Sequence, residues 1–425
     1  MVIRGGTVLD ATGRRRADVL ISGGVVASVG PRVTSVPAGT VVLDAAGCVV
    51  APGLVDLHAH LRQPGHEEAE TVATGARAAA LGGYTAVVAM PNTEPAIDCA
   101  AVVREVRQLG LGSCCDVRVA GAITVGRRGI HLAPMAEMAA LGVKLFTDDG
   151  CGVQDSGLMR RALEYASALG VTLAQHCEDA SLAGGGDMHE GEWSSRLGIA
   201  GQPAEAEELM VMRDLALSRL TGSPVHFLHL STAGSLRMVR GAKASGLAVT
   251  AEVAPHHFTL TDAAVASYDP VFKVNPPLRT PADVAAVAAA LADGTVDAIA
   301  TDHAPHPPEA KEVPFDQAPP GMVGLETALG LALTELDLPL EQVLALLSWQ
   351  PAAIAGLAGH HGGPVAVGAP ANLCVIDPAA RWVVDPARLA SRSRNTPFAG
   401  RALTGRVRHT VLQGEPVVVD GEAQR

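Results

Sequence analysis

Two histidines one residue apart, His58 and His60, close the apolar run Val49-Val50-Ala51-Pro52-Gly53-Leu54-Val55-Asp56-Leu57. The run reads as a buried strand, and on a strand residues i and i+2 point the same way. The two imidazoles then converge on one point at a strand end. That is a pincer suited to zinc and its neighbours. Alone the pattern is weak. With 15 histidines in 425 residues, about half a His-x-His match is expected by chance.

Its company makes it informative. Asp148 and Asp149 follow Phe146-Thr147, His176 follows Gln175, His229 follows Leu228, and Asp302 follows Ala300-Thr301. Each stands at the end of a strand-like run. A lone histidine there is ordinarily a hydrogen-bonded structural residue. A lone aspartate, such as Asp149 before Gly150, ordinarily caps a helix. Four histidines and two aspartates at five strand ends resist that explanation. His58, His60, His176 and His229 supply four neutral nitrogens, and Asp302 supplies a carboxylate. Asp148 or Asp149 is the candidate bridge between two cations. Such two-metal sites activate water and stabilise developing oxyanion charge.

These residues need elements to position them. From 51 to 357 apolar runs alternate with Ala-rich helical stretches. Strands are expected at 54–58, 86–90, 117–123, 143–146, 171–175, 225–230, 248–253 and 297–300. Helices are expected at 67–81, 100–109, 159–169, 204–220, 235–244 and 282–291. The alternation implies a parallel sheet. Eight units imply an α/β fold of the (β/α)8 TIM-type barrel class, whose active sites lie at the C-terminal ends of the strands. An open doubly wound sheet is the competing architecture, but no Gly-x-Gly-x-x-Gly follows the first strand. Short strands with glycine turns fill the two ends, among them 2–3, 19–21, 25–29, 41–43, 373–376, 382–384, 407–412 and 417–419. Residues 1–50 and 358–425 are therefore expected to form one small discontinuous β-sandwich domain beside a catalytic barrel domain, 51–357.

Composition narrows the function classes. The chain is 48% hydrophobic, 18% charged and only 3% aromatic, which suits helices and strands packed through small residues. A net charge of −12 argues against a nucleic-acid footprint. Arg14-Arg15-Arg16 reads as a solvated turn. No apolar run reaches membrane-spanning length, and Met1-Val2-Ile3-Arg4-Gly5-Gly6 opens no signal-peptide core. The 7 cysteines are odd in number and lack a Cys-x-x-Cys pair, so a reducing cytoplasm is expected.

The segments that carry these residues resemble the amidohydrolase superfamily, and more narrowly the bacterial type I dihydroorotases. They are Asp56-Leu57-His58-Ala59-His60-Leu61-Arg62, Met90-Pro91-Asn92-Thr93, Phe146-Thr147-Asp148-Asp149-Gly150, Ala174-Gln175-His176-Cys177-Glu178-Asp179, His229-Leu230-Ser231-Thr232, Lys273-Val274-Asn275-Pro276-Pro277-Leu278-Arg279, Thr301-Asp302-His303-Ala304-Pro305-His306 and Gly324-Leu325-Glu326-Thr327. They run in family order over nearly the whole chain.

The resemblance implies roles. His58, His60 and Asp302 match ligands of one metal, His176 and His229 match ligands of a second, and Asp149 matches the bridge. One or two zinc ions are implied, two being favoured. Related hydantoinases and allantoinases bridge with a carboxylated lysine aligned near Thr147. Lys144 lies three residues earlier and ranks below Asp149. Arg62, Asn92, Asn275 and His306 match substrate contacts, as does His60. The loop 304–321 reads as a lid, with Pro320 and Gly321 offering backbone groups to a ring. Pro320 departs from the aromatic residue that relatives often carry there. Arg279 could simply form a surface ion pair.

The implied activity is the reversible cyclisation of N-carbamoyl-L-aspartate to L-dihydroorotate, a step of pyrimidine synthesis, with Asp302 as general acid and base. A guanidinium fork binds carboxylate bidentately, which makes Arg62 the natural anchor. Two alternatives stand beside it. One is another cyclic amidohydrolase acting on hydantoin, dihydropyrimidine or allantoin. The other is a non-catalytic dihydroorotase-like partner of aspartate transcarbamoylase, although such chains lose ligands that are all present here. The resemblance leaves room for a homodimer and for association with aspartate transcarbamoylase.

Overall fold

The structure is a computed structural model that describes residues 1–34 and 39–425. Its strands form where Val, Ala and Ile cluster between glycine turns. Leu54–Ala59, Tyr84–Ala89 and Asp116–Val119 make one parallel ladder. Leu145–Phe146, Thr172–Gln175, Val225–Phe227, Val249–Val253 and Ala298–Ile299 make a second. Parallel bridges from Gly121 to Phe146 and from Ala59 to His303 join the ladders at both edges. The expected eight-stranded barrel is therefore closed. The fourth and eighth strands are only two residues long, shorter than their apolar runs.

Strand alternation sorts the side chains. Val55, Leu57, Ala86, Val88, Ala174, Leu228, Ala298 and Ala300 share an interior cluster with Ala352 and Ala355, which plug the end where the strands begin. Their neighbours Leu54, Val87, Leu173, Phe227 and Ile299 pack outward with the helices. Those helices include Val72–Leu81, Ala100–Leu109, Ser156–Leu169, Glu205–Thr221, Ala233–Ala244 and Pro281–Ala292. The first starts five residues later than expected, because Thr71 is extended and its side chain caps the Thr74 N–H. Met135–Ala140, Glu192–Leu197 and Ala328–Glu335 are additional helices.

The first strand contains an irregularity that matters. Asp56 pairs with Val87, yet Ala59 pairs with Ala89. One extra residue is accommodated between them, and such bulges re-aim side chains. Val55 and Leu57 face the apolar interior below the bulge. Beyond it His58 and His60 take the inward face. Asp56, outside this alternation, ties the first strand to the last. Its Oδ1 accepts from Thr301 N at 2.9 Å and its Oδ2 from Thr301 Oγ1 at 2.5 Å. Burial pushes this carboxyl up to about 7.

The two ends of the chain meet in one sheet. Its order is Glu422–Ala423, Glu415–Val419, Ala402–Leu412, Leu373–Val383, Val49–Pro52, Thr7–Asp10 and Gly13–Arg16. A second sheet, Val25–Gly30, Asp18–Ser22, Val2–Arg4 and Val42–Asp44, lies against it. Ile3, Val8, Val19, Ile21, Val50, Leu373, Val375 and Val411 fill the space between. The expected strand at 382–384 is the end of Leu373–Val383, which continues through two register shifts. Val49–Pro52 runs past residue 50 and leads directly into the barrel. Among the described residues no helix is long and apolar enough to cross a membrane.

The Asp56 seam makes a stability prediction. Asp56→Ala leaves the buried Thr301 N–H without its acceptor and the Thr301 hydroxyl with only its 3.3 Å contact to His58 O, which costs about 2–4 kcal/mol. Urea unfolding checks it: an unchanged midpoint would mean that the seam carries no stability.

Candidate active site

The strand ends deliver their side chains to one mouth of the barrel. Three of them turn inward through left-handed backbone: Arg62 at φ 61°, His229 at φ 30° and Asp302 at φ 48°. Non-glycine residues hold such conformations only where the surroundings fix them, and they gather at functional sites.

Asp149 is the hub. Its Oδ1 lies 3.4 Å from His58 Nε2, 3.5 Å from His176 Nδ1 and 3.6 Å from His229 Nε2. Its Oδ2 lies 3.7 Å from His60 Nε2. Asp302 Oδ1 lies 3.5 Å from His58 Nε2 and 3.4 Å from His60 Nε2. His176 Nδ1 and His229 Nε2 are 3.0 Å apart. All six side chains are buried. Two overlapping groups have metal-holding spacing: His58, His60 and Asp302, and His58, Asp149 and His229. His58 thus belongs to both, while His176 stands beside the second.

The residue preceding the hub has a different task. Asp148 Oδ1 accepts from Ile123 N at 2.8 Å and Thr124 N at 3.0 Å, and its Oδ2 accepts from the Thr124 hydroxyl. It holds the segment that follows the third strand. Of the two neighbouring aspartates, only Asp149 faces the histidines. Asp155, not Asp149, caps the following helix. Lys144 is exposed and packs near Gly356 at the opposite end of the barrel.

The donor set suits a cation. His58 Nδ1 lies 3.0 Å from Glu252 Oε1, and a carboxylate accepts only, so Nδ1 carries the proton. The lone pair of buried His58 Nε2, which has no hydrogen-bond partner, then faces two carboxylate oxygens. His60 repeats the arrangement, with Nδ1 2.8 Å from Asn92 Oδ1. Lone pairs aimed at anions repel unless a cation lies between them. Burial alone would raise the carboxyls of Asp149 and Asp302, but the surrounding histidines hold both below the usual range. Burial opposes charge on His58, yet Asp149, Glu252 and Asp302 raise it. Burial keeps His60 low.

The remaining candidates form the rim. Arg62 is half-buried, and its Nε donates to Pro305 O at 3.2 Å. His306 Nε2 donates to Pro320 O at 2.9 Å. Burial first, and the Arg62 charge second, push that imidazole down to about 3. Gly321 sits at φ 138°, where a Cβ would meet Ala304 and His306 within 3.0 Å, so only glycine serves there. Asn395 Nδ2 donates to both Ala304 O and Gly321 O, which pins the two ends of the loop 304–321 together. Asn275 lies deeper, 3.5 Å from His176 Nε2.

Comparison with known proteins agrees with this geometry. Residues 47–235 match the dihydro-orotase-like family and residues 241–418 the amidohydrolase family. The chain is 52% identical over 427 residues to a dihydroorotase of Pelotomaculum thermopropionicum, covering 99% of each. It is 53% identical over 428 residues to one of Streptomyces coelicolor, again 99% of each. It is 48% identical over 422 residues to one of Mycobacterium tuberculosis, 96% of each. The chain belongs to the dihydroorotase family. Among solved structures, an L-hydantoinase (dihydropyrimidinase) from Arthrobacter aurescens superposes with a TM-score of 0.89 at 24% identity, covering 100% of this chain and 97% of that one. A D-hydantoinase (dihydropyrimidinase) from Thermus sp. gives 0.86 at 26%, covering 99% and 96%.

The barrel contains residues whose tasks the sequence did not disclose. Glu252 bonds His58 on one side and His226 Nε2, at 3.1 Å, on the other. Its signal was a carboxylate inside an apolar strand. His303 donates through Nε2 to Glu70 and accepts the Gly324 N–H at Nδ1, so it braces the loop. Arg279 is not a surface ion pair: it is 1% exposed and bonds Ser231 Oγ and Gln202 O. Asp179 and Thr232 are helix N-caps.

Adjacent aspartates should therefore separate in experiment. Asp149→Ala is expected to lose bound metal while keeping the fold. Asp148→Ala is expected to lose about 2–4 kcal/mol, because two backbone N–H groups lose their acceptor. Elemental analysis and urea unfolding of both variants check this. The same metal content in both would contradict the division of labour.

Proposed function

We propose that the chain interconverts N-carbamoyl-L-aspartate and L-dihydroorotate, as the names of its full-length relatives suggest. It is a cyclic amide hydrolase. The observation that carries the reading is Arg62 standing at the rim of the His/Asp cluster, since a guanidinium fork suits a substrate with a carboxylate beside its scissile ring. Hydantoin and dihydropyrimidine lack that carboxylate. The compartment we infer is a reducing one, in keeping with seven free cysteines among the described residues. We also take residues 51–357 as the catalytic domain and 1–50 with 358–425 as the flanking one.

His58, His60 and Asp302 would hold one zinc ion, and His176 and His229 a second, with Asp149 shared. Zinc there supplies Lewis acidity to the ring carbonyl and lowers the pKa of an attacking water. The protein's own residues do the rest. Arg62 grips the α-carboxylate, and Asn92, whose Oδ1 is engaged by His60, turns its amide N–H groups toward it. Asn275, His306 and the backbone at Pro320 and Gly321 fix the ring. In hydrolysis the water oxygen joins the carbonyl carbon and the ring C–N bond breaks. Asp302 accepts the water's proton and passes it to the departing nitrogen. In synthesis the same residues act in reverse order and water leaves.

Absorbance-monitored hydrolysis of L-dihydroorotate, with hydantoin and dihydrouracil as controls, tests the substrate. Turnover confined to the uncharged rings would move the chain to the hydantoinase branch. Asp302→Asn is expected to keep the fold and lose about 10²–10⁴-fold in kcat, the usual worth of a positioned acid and base. Near-normal turnover by this variant would remove Asp302 from its role.

A further inference from the structure

Glu178 lies two residues beyond His176, at 21% side-chain exposure. One of its oxygens, Oε2, accepts two hydrogen bonds and faces His176. Asn275 Nδ2 donates to it at 2.7 Å and Gln202 Nε2 at 3.2 Å, while His176 Nε2 lies 3.5 Å away. We propose that Glu178 is a positioning residue that sets the tautomer of His176 and the amide orientation of Asn275 together. The inference rests on reading His176 as a metal ligand and Asn275 as a substrate contact.

The argument is one of donors and acceptors. A carboxylate only accepts, so each nitrogen turned toward it must carry hydrogen. With its proton on Nε2, turned toward Glu178 at 3.5 Å, His176 presents the Nδ1 lone pair to Asp149 and His229, at 3.5 and 3.0 Å. Asn275 Nδ2 also comes within 3.5 Å of His176 Nε2, a longer contact than its 2.7 Å bond to Glu178, and it competes with Glu178 for that ring nitrogen. Asn275 gives one N–H to Glu178 and turns that amide edge toward His176, so Oδ1 is the edge we assign to the substrate. That oxygen is an acceptor. It suits an N–H of the ring or of the open ureido group and would repel a carboxylate. Asn275 therefore reads the nitrogen side of the substrate, opposite in chemistry to Arg62.

The carboxylate is itself held from behind. The main-chain oxygen of Gln202 accepts from Arg279 Nη1 at 3.1 Å, and Arg279 Nε donates to Ser231 Oγ at 3.1 Å. The buried guanidinium thereby fixes the short strand Gly201–Gln202, whose side chain bonds Glu178. Glu178 faces His176 at 3.5 Å on the side where Glu252 bonds His58 at 3.0 Å.

Glu178→Gln and Glu178→Asp test the proposal against wild type. Metal affinity is measured by competition with a chelator for zinc, KM and kcat with L-dihydroorotate, and folding by urea midpoint. Losing an outer partner of a ligating histidine typically weakens metal binding about 10–100-fold. Glu178→Gln is expected to show that loss together with a raised KM, at an unchanged urea midpoint. Glu178→Asp keeps the charge and should fall between Gln and wild type. In the Glu178→Gln background, Asn275→Ala should raise KM less than it does alone. A flat series in metal affinity and KM, or one that merely follows the urea midpoint, overturns the proposal. Failure of the underlying reading would appear elsewhere, as wild-type protein that binds no zinc or does not turn over dihydroorotate.

Discussion

Four imidazole nitrogens converge on the single buried carboxylate of Asp149, all within 3.7 Å. The rest of the site follows from making that crowding tolerable. Buried charge is costly unless it is paired and hydrogen-bonded, so the cluster is not there for stability. Its cost falls when each imidazole offers a lone pair to a shared cation. A partner on the other ring nitrogen fixes that lone pair, and three of the four imidazoles have one, His229 Nδ1 being buried without a partner. Glu252 does this for His58, Asn92 for His60 and Glu178 for His176. The outer partners are as much a part of the centre as the residues that face it.

The barrel meets this demand through departures from regularity. A uniform strand carrying Val55 and Leu57 inward would turn His58 outward. The extra residue between Asp56 and Ala59 reverses the parity at the right place. His229 and Asp302 reach the mouth through positive φ rather than through alternation. Such positions are strained, and the strain is borne by the surrounding ladders and by seams such as Asp56 with Thr301.

These departures explain what was legible in the sequence. Alternating strands and helices identify a barrel, because each apolar run and each Ala-rich stretch obeys its own period. His58, His60, His176, His229 and Asp302 are visible because they end such runs. The bulge is not visible, since the His-x-His spacing predicts convergence with or without it. Nor does type distinguish Asp148 from Asp149: both are aspartates after the same strand, and only the N–H groups of Ile123 and Thr124, in the segment after the third strand, decide that Asp148 faces away. Arg279 misleads for a similar reason. An arginine in a polar loop is ordinarily exposed, and only the folded insertion around Gln202 buries this one.

Glu252 shows the remaining limit most clearly. Sequence patterning treats a buried strand as uniformly apolar, but the interior of this barrel is layered. Ala352 and Ala355 close an apolar floor beneath Val55, Leu57 and Ala298. Among these interior apolar side chains His226, Thr250 and Glu252 form a hydrogen-bonded band, with His226 Nδ1 2.8 Å from Thr250 Oγ1. The metal-holding cluster sits above that band. A polar residue in the middle layer looks like a flaw in a strand until its height in the barrel is known. Height depends on where each strand starts relative to its neighbours, and that stagger is a property of the closed ring rather than of any one segment. Residues that finish a strand announce themselves, whereas residues that support them from one layer below become intelligible only once the ring is closed.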